Sequence, residues 1–310
     1  MKNVLFIGGA GFIGSNLIKA MLSFNPDNRI YVTEPTFANV QRLDGLNIKL
    51  YRCELGNFDE LSSIINRNKI DTVVHLVSTL IPGSNYEDYK REIQNVAFPT
   101  LRLTQFCSEK NIKFVFFSSG GTIYGNRMEP IPFKEDDNKE PISYYGLTKL
   151  MIENNILFQH RTQGLNYLIL RPSNPYGHGQ ALNGNQGFIA VCIGKILNGK
   201  PIEVWGDGSS LRDYIYIDDL SNIFCKLISQ DVNNEIINIG SGMGYSLIDV
   251  IKILEDCVDE DIKINYKSNR KVDVANMILS IEKLSCFIDL NLVPLNKGIK
   301  DFYLQEKSRV

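Results

Sequence analysis

Tyr145 and Lys149 stand four residues apart in the stretch SYYGLTKL (143–150), the spacing that places two side chains on one face of a helix. An ammonium fixed beside a phenol favours the phenolate, so the pair is suited to take a proton from a substrate hydroxyl. Tyr144, five residues before the lysine, points elsewhere and is expected to be structural. A second set of hydroxyls, Ser118, Ser119 and Thr122, lies in FFSSGGTIYG (116–125), directly after an apolar run that reads as a strand. The carboxyl ends of strands are where doubly wound sheets bind ligands.

The elements that must hold these groups are legible from the N-terminus. After the apolar run NVLFI comes Gly8-Gly9-Ala10-Gly11-Phe12-Ile13-Gly14, a G-x-x-G-x-x-G turn opening a helix. Gly8 permits the tight turn, Gly11 lets backbone amides approach a pyrophosphate at the helix N-terminus, and Gly14 lets helix and strand pack closely. The second strand, RIYVTE, ends at Glu34, 20 residues after Gly14, where a carboxylate accepts both ribose hydroxyls of a dinucleotide. That carboxylate repels a 2′-phosphate, and Pro35, Thr36 and Phe37 bring no arginine to offset it, so the expected cofactor is NAD rather than NADP.

Further runs, IKLYRCEL, TVVHLVS, KFVFFSS and LNYLILRP, alternate with helical stretches. Continuous apolar strands in βαβ alternation predict an α/β fold, a doubly wound parallel sheet of the Rossmann type covered by helices on both faces. After Arg171-Pro172 the chain turns to loops rich in Gly, Asn and Pro, with one short strand, PIEVWG, and helices at about 187–198, 246–257 and 281–287. Residues 1–172 are therefore expected to bind the dinucleotide and 173–310 to form a smaller mixed α/β substrate-binding domain, with about 213–240 returning to the first.

With 310 residues, 44% of them apolar, the chain has ample material for a core. A net charge of −2 with dispersed Lys and Arg argues against nucleic acid as a partner. No apolar stretch reaches the roughly 18 residues of a membrane span, and glycines interrupt the N-terminal apolar run, which speaks against a signal peptide. Six scattered cysteines without C-x-x-C fit a reducing cytoplasm. His75, His160 and His178 lack metal-ligand spacing, so no metal is expected.

The glycine loop, Glu34, the hydroxyl cluster and Tyr145-x-x-x-Lys149, in this order, resemble the extended branch of the short-chain dehydrogenase/reductase superfamily. Within it the chain is similar to NAD-dependent nucleotide-sugar epimerases of the UDP-glucose (UDP-galactose) 4-epimerase type. The resemblance implies that Tyr145 is the base and that Lys149 also holds the nicotinamide ribose. It implies a helper Ser or Thr four residues before the tyrosine of the Tyr124-Gly125 pair. Here that position is Gly120, so Ser119 or Thr122 is left to serve, Ser119 being preferred. It further implies that Glu54 and Leu55 lie near the adenine and that Leu76 to Thr79, Ser78 among them, and Asn95 line the cofactor.

For the substrate, the resemblance implies a UDP-hexose. Asn174 in RPSNPYGHGQ would bond a diphosphate or sugar oxygen, and Arg212 and Arg270, with Asp273, would grip the diphosphate through planar guanidinium forks. The stretch 185–188, including Gly187 and Phe188, and Val204-Trp205 would clamp the base. Met277, four residues past Asp273, would form a wall beside the sugar that tolerates N-acetyl groups. The expected reaction inverts C4 through a 4-keto sugar, with homodimer pairing through helices at about 95–108 and 145–159. A dehydratase is disfavoured because Gly121 and Thr122 stand where that branch carries an Asp-Glu pair. A nucleotide-sugar reductase is the alternative, and a non-enzymatic NAD-sensing protein ranks below it.

Overall fold

The computed structural model describes residues 1–184, 186–258, 262–268 and 275–309. Its centre is a parallel sheet of β1 (Asn3–Ile7), β2 (Arg29–Glu34), β3 (Ile48–Arg52), β4 (Thr72–His75), β5 (Lys113–Phe117), β6 (Tyr167–Pro172) and, much later in the chain, β11 (Glu235–Ile239). The spatial order is β11-β6-β5-β4-β1-β2-β3, and every pairing is parallel. Strand order reverses between β1 and β4, and a crevice for a ligand opens at such a switch point.

Successive residues of β1 feed opposite faces: Val4 and Phe6 join one apolar cluster, Leu5 and Ile7 the other. Period-two alternation in which both sides are apolar is the reason the strand reads as a continuous apolar run. The first face is covered by α1 (Phe12–Phe24) and α7 (Ile217–Ser229). The second is covered by α2 (Phe58–Arg67), α4 (Phe98–Glu109) and α5 (Tyr144–Gln163). Between β4 and α4 runs α3 (Tyr86–Glu92), opened by a reciprocal Asn85–Asp88 capping box and closed by one π-helical turn, Ile93–Ala97.

The other lobe contains β7 (Asn174–Tyr176), α6 (Phe188–Leu197), β8 (Ile202–Trp205), β9 (Leu211–Arg212), β10 (Tyr214–Tyr216), β12 (Tyr245–Ser246), α8 (Leu247–Val258), β13 (Ile264–Lys267), β14 (Asn276–Met277) and α10 (Leu295–Lys307). Its core joins α6, α8 and α10 around Ile193, Val204, Ile251 and Phe302. The chain crosses back to the sheet twice. α7 and β11 return, and so does α9 (Glu282–Ser285) with the segment after it, because Leu284 and Ile288 insert into the cluster shared by α1 and α7. The 281–287 helix, expected in the second lobe, packs against the sheet instead.

Candidate active site

The loop after β1 has the form its glycines predict. Gly8 sits at φ +79, and a Cβ there would press on the Val77 side chain at 2.8 Å, so the β1 and β4 loops touch across the switch point. A Cβ at Gly14 would lie 2.6 Å from the Gly9 carbonyl oxygen, so only glycine lets α1 cross this close. Gly11 differs. A Cβ there would meet only Gly8 O, at 3.7 Å, so its absence serves no internal packing and leaves the first turn of α1 open to a ligand. Gly11, Phe12 and Ile13 form that turn, which has no side-chain cap and no acidic residue to compete with a pyrophosphate.

Glu34 is buried at the end of β2, and its Oε1 accepts the Ala10 N–H at 2.5 Å. Burial raises its pKa, opposed by that hydrogen bond and by the Arg52 charge. Parallel pairing puts Arg52 beside Glu34, and its Nη1 donates to the Pro35 and Ala38 carbonyls at 3.1 and 3.0 Å. The neighbours of Glu34 in sequence contain no arginine; its neighbour in the sheet does. The β2–β3 register is the signal that would have found it. Cys53 N–H donates to Glu34 O, which brings exposed Glu54 and half-buried Leu55 to the same corner. Leu76 and Ser78 follow β4 opposite the glycine loop, while Asn95 is exposed on the π-helical turn. An open helix N-terminus, a ribose-accepting acid and the buried, unpartnered Ser118 hydroxyl together suit a bound NAD.

The catalytic candidates meet at the start of α5. Ser143 caps the helix, its Oγ accepting the Gly146 N–H at 3.2 Å, which fixes Tyr145 in the first turn. A Cβ on Gly146 would lie 2.4 Å from Thr122 O, so this glycine is what lets α5 dock against the 119–122 loop. The Ser119 hydroxyl lies beside the Tyr145 phenol. Burial pushes the Tyr145 pKa up to about 12, with Ser119 lowering it and the Glu92 charge adding to the rise. Lys149 is buried, its Nζ donating to Phe117 O at 2.9 Å and lying 5.7 Å from the Tyr145 ring centre. Burial lowers its pKa to about 8, against the Glu92 and Glu153 charges. Desolvation is the largest influence on both groups, and the ammonium is turned to the Phe117 carbonyl.

Gly120 cannot host the displaced hydroxyl, because a Cβ there would lie 2.4 Å from Leu279 Cδ1 and 2.9 Å from Arg171 O. Of the two substitutes, Ser119 reaches Tyr145, whereas Thr122 Oγ1 is buried without a hydrogen-bond partner. Tyr144 stacks on Tyr89 at 4.7 Å, away from this pair. His75, buried at the end of β4 with Nε2 2.9 Å from Thr100 Oγ1, is kept neutral by burial, its pKa near 3.

On the other lobe's side, a Cβ at Gly121 would lie 3.8 Å from both Ser119 Oγ and Asn174 Oδ1, so Asn174 faces the catalytic loop. Its amide nitrogen donates to Asp213 O at 2.8 Å. Arg212, next in chain, donates from Nη1 to the Leu211 and Ala275 carbonyls at 2.9 and 3.4 Å. Gly187 (φ +84) caps α6, which begins at half-buried Phe188. Arg270, Asp273 and Asn185 lie outside the described residues. Met277 is fully buried against Ile123, Tyr124, Phe133 and Leu279, an apolar core position beneath the loop rather than a wall facing a sugar. Among the described residues no group of His, Cys, Asp or Glu is arranged to hold a metal ion, and no helix is long and apolar enough to cross a membrane.

A family model described as "NAD dependent epimerase/dehydratase family" matches residues 4–240. The chain is 33% identical to the dTDP-4-dehydro-6-deoxyglucose reductase of Escherichia coli, across 91% of this chain and 90% of that one. It is 30% identical to a putative UDP-glucose 4-epimerase of Methanocaldococcus jannaschii, across 96% of each. Among solved structures it is similar to the UDP-glucose 4-epimerase of Thermotoga maritima with UDP-glucose, with a TM-score of 0.91 and 29% identity over 99% of each chain.

Proposed function

Since the chain belongs to the NAD dependent epimerase/dehydratase family, in the extended short-chain dehydrogenase/reductase superfamily, we propose that it inverts C4 of a UDP-hexose through a 4-keto sugar. The observation that carries this reading is the Ser119–Tyr145–Lys149 group at the carboxyl end of the parallel sheet. The open first turn of α1 and Glu34 would hold NAD, which would supply a reversible hydride acceptor for C4 and a positive charge. Tyr145 takes the proton of the 4-hydroxyl and Ser119 shares it by hydrogen bond, which holds sugar O4 at the phenol. Lys149 stabilises the phenolate and the nicotinamide ribose. Asn174 and Arg212, with Arg270, hold the diphosphate, and Gly187 and Phe188 border the base. With the diphosphate fixed, the hexose turns about its anomeric linkage and offers its other face.

Incubation with UDP-glucose should yield UDP-galactose with no added reductant, and Tyr145→Phe should abolish the conversion. A wild-type protein inert toward every UDP-hexose offered would overturn the reading. The identity to the Escherichia coli reductase favours a second one, reduction of a 4-keto sugar nucleotide. The two separate by cofactor behaviour. An epimerase retains NAD through purification and consumes none, whereas a reductase exchanges it and consumes NADH in proportion to product.

A further inference from the structure

Glu92 was not singled out by any motif, yet it is 1% exposed at the C-terminal end of α3. Its Oε1 accepts from Ser78 Oγ at 2.8 Å, and its Oε2 from Thr79 N–H and Oγ1 at 3.0 and 2.5 Å. Among the described residues it has these three donors but no ion-pair partner. A buried carboxylate without a counter-ion is costly, and a fold keeps one where the charge is used. α3 and the π-helical turn pack against α5, the helix that carries Tyr145 and Lys149, and the Glu92 charge acts on both of those groups. Other charges near the pair are already committed. Glu153, one turn along α5, is held by Arg171 Nε and Nη2 at 3.0 and 2.6 Å. Asp88 and Arg91 of α3 pair with each other at the surface, and His75 is held neutral.

We propose that Glu92 is a positioning residue for the catalytic pair: its carboxylate fixes the Ser78–Thr79 turn after β4 and places one buried negative charge where both Tyr145 and Lys149 feel it. It also heads the π-helical turn that carries Asn95, so the same anchor sets the start of that turn. This rests on the reading of Tyr145 as the proton acceptor. A negative charge here opposes phenolate formation and favours the ammonium, so removing it should make Tyr145 easier to ionise and Lys149 easier to deprotonate.

Glu92→Gln isolates the charge. The amide oxygen can take both Thr79 donors while the amide N–H reaches Ser78 Oγ as acceptor, so the bonding survives. Both limbs of the pH–turnover profile should move to lower pH, by about one unit each, with no loss of melting temperature. Glu92→Ala should lose the turn as well and bind NAD more weakly. A second readout avoids turnover: in protein labelled with ¹³Cζ-tyrosine, the resonance absent from Tyr145→Phe should titrate at lower pH in Glu92→Gln. Unmoved limbs and an unmoved resonance would overturn the proposal and leave Glu92 a brace. If Tyr145→Phe instead keeps full turnover, the proposed function fails, while the resonance still reports whether the Glu92 charge reaches Tyr145.

Discussion

The phenol of half-buried Tyr145 beside Ser119 and the amine of buried Lys149 at Phe117 O both resist charging, and each leaves a mark on the pH dependence. Lys149 titrates at about 8 instead of its ordinary 10.5, so its ammonium is lost as pH rises through 8 and turnover should fall there. Lys149→Arg carries a charge that does not titrate, so its residual turnover should lack the alkaline fall. An alkaline limb that persists in the Arg variant would assign it to another group. Tyr145→Phe should lose about 10²–10⁴-fold in turnover while calorimetry finds NAD binding unchanged, because only the ionisable oxygen is gone. Tyr144→Phe should be nearly silent, since its ring, stacked on Tyr89, does its packing. At the other end of the cofactor site, Glu34→Ala should narrow the preference for NAD over NADP by removing carboxylate repulsion while Arg52 remains next to it in the sheet. Equal affinities for both cofactors in the unmodified protein would refute the role given to Glu34.

The helix α5 carries the chemistry, and its placement depends on two features far less conspicuous than Tyr145. Gly146 lets it approach the 119–122 loop. Gly146→Ala must displace Thr122 O and should separate Tyr145 from Ser119, costing far more turnover than melting temperature. Glu153, fully buried, pairs with Arg171, whose Nη1 also donates to Tyr124 OH and Glu135 O. Glu153→Ala would strand the guanidinium in the core, and denaturant unfolding should show a loss of about 3–5 kcal/mol. Much of this frame was legible. β1, β2, β4, β5 and β6 are apolar on both faces, the glycines stand at fixed offsets from β1, and Tyr145 and Lys149 share a helical face. What was illegible depends on contacts distant in sequence. Arg52 reaches Glu34 through strand register, Met277 is enclosed by the distant segment holding Ile123, Tyr124 and Phe133, and Leu284 with Ile288 chose the sheet over the nearer lobe. β9, β12 and β14 span two residues each, too few to show any period. Glu92 belongs to no motif, and the π-helical turn that follows it has no sequence signature.

The two lobes are tied at Asp213, whose buried carboxylate accepts N–H groups from Ser241, Gly242 and Leu279 and the Ser241 hydroxyl. β11 leads into the first two donors and β14 into the third, so one side chain gathers strand ends from both lobes. The opposite flank is left unfinished. α4 and α5 pack together over the sheet, and along α5 Leu147, Met151, Asn154 and Phe158 recur at the spacing of a single helical face. Leu147 is 42% exposed, Phe158 52% and Phe98 at the start of α4 59%. Large apolar side chains aligned on neighbouring helices favour a second copy of the same face, since a twofold pairing is self-complementary. A homodimer through α4 and α5 is therefore expected, and light scattering at micromolar concentration should give twice the chain mass. Leu147→Glu with Phe158→Glu places like charges across the axis and should yield monomers that still bind NAD, because neither residue touches the glycine loop or Glu34. A monomeric unmodified protein, or a dimer indifferent to both charges, would show that this face pairs with nothing or that the copies meet elsewhere.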